Sequence, residues 1–168
     1  MIKIIRLMGT SGSGKTHFIT NAIKLLKKHL NYDVAVVKNI HEHEIDEKGK
    51  DSYKYCEAGA VYSITKNINN ENTIFLKKKI DVKELIKWLE LGPFKVDLVF
   101  IEGFKNLKYP TILCVEKFSD IENQVGEDVA MISGRILSST IPEDHNLILP
   151  MIDIEKDFER FLEIFRIQ

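Results

Sequence analysis

The chain has 168 residues, 44% of them hydrophobic and 29% charged, a size and balance that suit one folded domain and exclude wholesale disorder. With 24 Lys plus Arg against 25 Asp plus Glu, its formal charge is −1, so no global pull towards nucleic acid or an acidic membrane is built in. Two well-separated cysteines, Cys56 and Cys114, fit neither a disulfide framework nor an all-thiolate zinc site. No apolar run reaches the roughly 18 residues of a membrane span, and no signal-peptide core is present. The expectation is a cytoplasmic protein with no membrane and no nucleic-acid partner.

In chain order, Ile2–Met8 is apolar and β-branched and predicts a short buried strand. Gly9–Thr16 reads GTSGSGKT, after which Phe18, Ile19, Ala22, Ile23, Leu25, Leu26 and Leu30 recur at helical spacing. Lys27, Lys28 and His29 fall where positive charge suits the helix dipole. Asp33–Lys38 predicts a second strand, completing a β–loop–α–β unit that normally means parallel strands. Ile40–Ser52 is polar and charged, an exposed loop.

Ser52–Ala60 predicts a short helix, and Val61–Thr65 and Thr73–Leu76 two strands, a candidate β-rich insertion near residues 61–77. Asp81 with Glu84 three residues on predicts a capped helix carrying Val82, Leu85, Ile86 and Leu89, stopped by Gly92-Pro93. Val96–Ile101 is a third strong strand, and Thr111–Val115, Val129–Ile132 and Leu147–Leu149 are further strand candidates. Asp153 is the expected cap of a last helix burying Ile154, Phe158, Phe161, Leu162 and Phe165. Strands alternating with helices predict a single α/β domain over 1–168: a three-layer P-loop NTPase fold with a mainly parallel central sheet.

Gly9-Thr10-Ser11-Gly12-Ser13-Gly14-Lys15-Thr16 satisfies G-x-x-x-x-G-K-[ST] without substitution. Glycines allow positive φ and let backbone N–H groups approach phosphate oxygens, and the following helix N-terminus adds donors and partial positive charge. Lys15 is placed for the β- and γ-phosphates, and the Thr16 hydroxyl for Mg²⁺. Gly9 through Thr16, with His17 beside them, form the predicted nucleotide site. A chance match would not also fall between a strand and an amphipathic helix.

Glu102 ends the strand whose start is marked by Asp97. Ligands of open α/β sheets lie outside the carboxyl ends of strands. Glu102 is therefore a candidate to hold Mg²⁺, directly or through water, or to orient an attacking water; Lys15 and Glu102 are the catalytic candidates. The plain alternative is that Glu102 merely ends a strand before Gly103. Asp97 is expected at the far end.

His41-Glu42-His43-Glu44 would place His41 and His43 on one face of a strand, half of a zinc or nickel site to which Cys56 could contribute. Such charged loops are more often simply solvated. Gly49-Lys50-Asp51-Ser52 either presents Lys50 and Asp51 to a phosphate or Mg²⁺, or forms a turn with Asp51 or Ser52 as helix cap.

Taken together, GTSGSGKT, the strand VAVVK ending at Lys38, HEHEIDEKGKDSYKYCEAGA and LVFIEGFKNLKYP resemble, in the same order, the molybdopterin-guanine dinucleotide biosynthesis protein B (MobB) family over most of residues 1–112. Asn39 and Glu42 stand where that family usually has histidines, and Thr111 where it commonly has Lys. The resemblance implies a GTP-binding accessory protein in molybdenum or tungsten cofactor assembly, forming the guanine dinucleotide. It implies weak Mg²⁺-dependent GTP hydrolysis, a homodimer, and work beside a nucleotidyltransferase and a molybdopterin. By position, Gly12–Thr16 would hold phosphates, Thr16 and Glu102 the Mg²⁺, and Lys50 and Asp51 would lie near the triphosphate or the pterin-bearing partner.

No Asn-Lys-x-Asp guanine-reading sequence follows a late strand; Met131–Arg135 occupies that stretch, where Ser133 and the backbone could contact a base. Guanine therefore rests on the resemblance. Two rivals remain: a small-molecule P-loop kinase, against which the scattered Arg6, Arg135, Arg160 and Arg166 suggest no arginine lid, and a GTP-gated metallochaperone using His41, His43 and Cys56.

Overall fold

The computed structural model describes residues 2–41, 43–138 and 148–168. The chain divides into two compact units, Met1–Asn39 with Ile86–Gln168, and Ile40–Leu85. The first is built on a five-stranded sheet of β1 (Lys3–Met8), β2 (Val34–Lys38), β5 (Leu98–Glu102), β6 (Thr111–Cys114) and β7 (Val129–Ser133). Their spatial order is β2-β5-β1-β6-β7, and all four pairings are parallel.

Alternation along these strands sorts side chains onto two faces. Ile5, Leu7, Phe100, Ile112, Cys114 and Met131 share one core with Phe18, Ile19, Ala22 and Leu26 of α1 (Lys15–Leu30) and Phe158, Phe161 and Phe165 of α5 (Phe158–Phe165). Leu113 and Ile132, the alternate residues, pack instead with Ile121 of α4 (Ser119–Gln124) and with Ile136. Helices thus lie on both faces of the parallel sheet, the expected three-layer α/β arrangement. Full burial of each large core side chain is worth roughly 1.5–3 kcal/mol.

The ends of α1 follow from its sequence. Asn31 in the left-handed region closes it (φ 53°), its N–H reaching Leu26 and Lys27 carbonyls, and Lys27, Lys28 and His29 occupy the last turn. Its N-terminus at Gly14 has no side-chain cap and no acidic residue in the first turn. Those N–H groups are left for something else.

In the second unit, α2 (Asp51–Glu57) precedes β3 (Ser63–Lys66) and β4 (Asn72–Phe75), which pair antiparallel. The capping box that opens α3 (Val82–Leu91) is reciprocal: Asp81 N–H donates to Glu84 Oε2 and Glu84 N–H to Asp81 Oδ1, both at 2.8 Å.

Three expectations are corrected. The last helix starts at Phe158, because the Asp153 carboxylate closes a turn by accepting the Glu155 N–H at 3.0 Å, and Asp157 stands at the cap. The α2 cap is Lys50, with no side-chain cap bond; Ser52 Oγ donates to Asp46 Oδ1 instead, at 3.0 Å. Ile148 and Leu149 are not strand, and Leu147 lies outside the described residues; a single parallel bridge joins Met151 to Ile132.

Arg6 is a structural residue of β1, 4% exposed. Its Nε donates to Thr111 Oγ1 (2.8 Å), its Nη1 to the Lys105 (2.9 Å) and Leu107 carbonyls, and its Nη2 lies 3.8 Å from Asp128. Burial lowers its pKa from the usual guanidinium value, partly offset by Asp128. Among the described residues no helix is long and apolar enough to cross a membrane.

Candidate functional site

At the C-terminal edge of the sheet, β1 runs into Gly9 and the chain turns back through Gly12 and Gly14, all three with positive φ (138°, 78° and 101°). Gly9 is required by space as well as conformation, since a Cβ there would lie 2.0 Å from the Cys114 carbonyl oxygen. The Cys114 thiol is fully buried and pushed up to about 12 by that burial, so it is inert. Ser13 is buried, and its hydroxyl has no hydrogen-bond partner among the described residues.

Lys15 Nζ folds back over the loop, donating to the Gly9 (3.0 Å) and Thr10 (2.7 Å) carbonyls. An ammonium held on two neutral carbonyls, with no counter-anion bonded to it among the described residues, is one for which an anion competes well. Thr16 and His17 follow, both exposed, with His17 Nε2 3.2 Å from Asn21 Nδ2 and 3.6 Å from Glu155 Oε2.

The loop forms the floor of a cavity of about 540 Å³. On one side of β1, Lys38 and Glu102 line it, with Lys38 Nζ 3.6 Å from Glu102 Oε1. On the other, Ser133–Arg135, Leu137, Ser138 and Asp153–Glu155 line it. The turn after β7 is wired directly to the phosphate loop. Arg135 N–H donates to the Ser13 carbonyl (3.1 Å), and Ile136 N–H to that of Val115 (3.0 Å). Gly134 (φ 99°) admits no Cβ, which would lie 2.3 Å from the Ser13 carbonyl oxygen.

A nucleoside triphosphate with Mg²⁺ fits this donor set. Backbone N–H groups at an uncapped helix end, a displaceable lysine and glycines that keep the floor low suit phosphates. Thr16 and Glu102 offer the hard oxygen ligands Mg²⁺ takes.

The predicted residues Gly9 through His17 and Glu102 thus gather at one edge of one sheet. Asp97 lies at the other end of β5, bonded to the Asp33 N–H (2.9 Å) and to Lys95 (2.6 Å). Lys50 and Asp51 begin α2 in the second unit, both exposed, Lys50 3.7 Å from Glu47 and Asp51 3.3 Å from Lys54. His41 and His43 are exposed, Cys56 is buried, and among the described residues no three His, Cys, Asp or Glu side chains are grouped to hold a metal.

Ser133, expected as a base contact, donates its hydroxyl to the Ile152 carbonyl at 2.7 Å and is 3% exposed. Sequence reasoning missed Lys38, Asp153 and Glu155 as lining residues, whereas Gly134 and Arg135 belong to the Met131–Arg135 stretch offered for base contact. Only the Ser-Gly pair after β7 carried a local signal.

An all-parallel sheet with a glycine loop between its central strand and an uncapped helix defines a P-loop NTPase-like α/β protein. The chain belongs to the family described as molybdopterin guanine dinucleotide synthesis protein B, which it matches over residues 4–133. A protein of Methanocaldococcus jannaschii is 32% identical over 136 residues, 78% of this chain and 54% of that one. The molybdopterin-guanine dinucleotide biosynthesis adapter protein of Haemophilus influenzae is 32% identical over 117 residues, 67% and 62% of the two chains. The chain thus spans little more than half the length of these relatives. The crystal structure of Bacillus subtilis MobB superposes with a TM-score of 0.75 at 21% identity, covering 99% of both chains, and shows the same fold.

Proposed function

We propose that this chain is a GTP-binding adapter in assembly of the guanine dinucleotide form of the molybdenum cofactor. The observation that carries the reading is Lys15, held on loop carbonyls at the mouth of an uncapped helix. Family membership supports the pathway, and the adapter names of relatives support a role beside a nucleotidyltransferase and its molybdopterin.

In this reading Gly9 through Thr16 surround the phosphates with N–H donors, and Lys15 exchanges its carbonyl bonds for phosphate oxygens. Thr16 and Glu102 would hold Mg²⁺, which neutralises phosphate charge when bound. Lys38 balances Glu102 and keeps its carboxylate turned to the cavity edge. Among the described residues no Gln lines the cavity to position an attacking water, which supports weak hydrolysis. Lys50 and Asp51 are exposed charges free to meet a phosphate- or pterin-bearing partner.

Exposed Ile64 and Ile74 on the β3–β4 pair support a homodimer, which sedimentation would check. A cytoplasmic setting goes with the same reading.

The test is calorimetric titration with non-hydrolysable GTP and ATP analogues, with and without Mg²⁺. GTP preference that depends on Mg²⁺ is expected. Preference for ATP would overturn the assignment and favour a small-molecule kinase.

A further inference from the structure

We propose that Asp153 reads the base, its carboxylate accepting the N1–H and 2-amino hydrogens of a guanine ring and so selecting guanine over adenine nucleotides. The inference rests on the nucleotide-site reading above and adds the residue that determines specificity. The argument begins from the sheet order. β1, carrying the phosphate loop, is flanked by β5 with Glu102 on one side and by β6 then β7 on the other. If the metal-bearing phosphates point to Glu102, the nucleoside extends the opposite way. There the cavity is walled by Gly134, Arg135, Leu137, Ser138 and Asp153–Glu155.

Asp153 is held firmly at that end. Its segment is laddered to β7: Ile132 N–H donates to the Pro150 carbonyl and Ile152 N–H to that of Ile132, both at 2.9 Å. The Ser133 hydroxyl adds a third tie, to the Ile152 carbonyl. The carboxylate itself accepts the Glu155 N–H at Oδ1 (3.0 Å) and a further bond from the Lys156 backbone N–H, and Lys156 Nζ lies 3.0 Å from Oδ2.

Of the roughly four lone pairs of the carboxylate, the two backbone bonds take two, and the Lys156 ammonium, on a side chain 81% exposed, is displaceable from a third, which leaves two for a base. Burial tends to raise this carboxyl, but the bonds from Lys156 and the Glu155 N–H outweigh it and hold it below the ordinary range. It is a pure acceptor at neutral pH.

Guanine offers two adjacent donors to such an acceptor pair, whereas adenine presents the lone pair of N1 and is repelled. Leu137, 36% exposed at the same wall, supplies apolar surface for a ring face. Ser133 cannot serve as donor, being committed to Ile152. Glu155 is paired with His17 beside the phosphate loop.

The experiment measures affinities of the full chain, with Mg²⁺, for GTP, ITP, XTP and ATP in their non-hydrolysable forms. Wild type is expected to favour GTP over ITP, which lacks only the 2-amino group, by at least about tenfold, as for loss of one charge-assisted hydrogen bond. Asp153→Asn keeps the acceptor for the Glu155 N–H but turns one oxygen into a donor. It should lose at least about tenfold for GTP, gain for XTP, whose 2-oxo group accepts that donor, and not weaken ATP, whose N1 lone pair is no longer repelled.

A role confined to closing the turn would weaken all four nucleotides together, and that result overturns the proposal. So does a wild type that binds GTP and ITP alike, a comparison needing no variant. If wild type prefers GTP and Asp153→Asn retains that preference, the proposal fails while the GTP reading stands. If wild type binds no triphosphate, both fail.

Discussion

β5 carries a carboxylate at each end, and the two are used in opposite ways. At its start, Asp97 takes the Asp33 N–H and lies 2.6 Å from Lys95, while Asp33 itself binds Lys27 at 2.8 Å. Charges at this edge satisfy one another. At its end, Glu102 meets Lys38 at 3.6 Å, and beyond it, among the described residues, Lys15 is bonded only to carbonyls and the α1 N-terminus has no side-chain cap. The same strands therefore present a closed polar edge and an open one. Unspent donors concentrate where the chain also places its positive-φ glycines, an arrangement that costs stability and makes sense when a ligand supplies the missing partners.

The largest expected effect is at the open edge. Lys15→Ala should weaken triphosphate binding by about 100-fold or more, the loss of two charge-assisted bonds to phosphate. Thermal stability should change little, because of the two bonds lost within the protein one is exposed and the other only part-buried. Titration calorimetry and a melting curve on the same variant check both halves. Normal GTP binding by this variant would remove the phosphate loop from the site.

Gly134→Ala should come next, lowering unfolding stability by roughly 2–3 kcal/mol, since its Cβ would overlap the Ser13 carbonyl at a positive φ. Because that carbonyl belongs to the phosphate loop, nucleotide affinity should fall with stability. Urea unfolding of the free and the nucleotide-loaded variant would show whether ligand restores the loss. Glu102→Gln is the milder change: about tenfold weaker Mg²⁺-dependent binding, with Mg²⁺-free binding unaltered. Equal loss in both conditions would make Glu102 a strand terminator only.

What could be read in the sequence was whatever lay within a few consecutive residues. The phosphate loop is one continuous segment, and the Asp81–Glu84 cap is a three-residue relation, so both were legible. Asp153 had the same cap chemistry, yet its carboxylate closes a turn and α5 begins only at Phe158; an N-cap residue looks alike in either setting. Ser52 is one of two possible caps in the sequence, yet its hydroxyl belongs to Asp46, six residues back. α4 escaped notice because a six-residue helix burying only Ile121 has too little periodicity to register.

The site was legible on its phosphate side and, more loosely, in the Met131–Arg135 stretch that borders it. Gly134 is required by Ser13, some 120 residues away, and Asp153 reaches the cavity only through a bridge from Met151 to Ile132. No local pattern encodes either contact. Arg6 shows the same limit: its buried bonds to Thr111 and the Lys105 carbonyl depend on the register of β1 with β6.

The smallest effect belongs to the closed edge and sharpens the contrast with Glu102. The Asp97 carboxyl is held below the ordinary carboxylate range, chiefly by the Asp33 N–H and then by Lys95. A depressed folded pKa stabilises the protein above the unfolded value near 3.9, and this contribution disappears as pH falls through the folded value. Asp97→Asn can still accept the Asp33 N–H and loses only the charge. It should therefore be less stable than wild type at pH 7 by at most about 1 kcal/mol, because Lys95 is 79% exposed and solvent screens the pair. The difference in urea midpoint should shrink as pH falls through the folded value, and nucleotide affinity at pH 7 should be unchanged. A shift in affinity without a shift in stability would mean the two ends of β5 are not divided between holding the fold and holding the ligand.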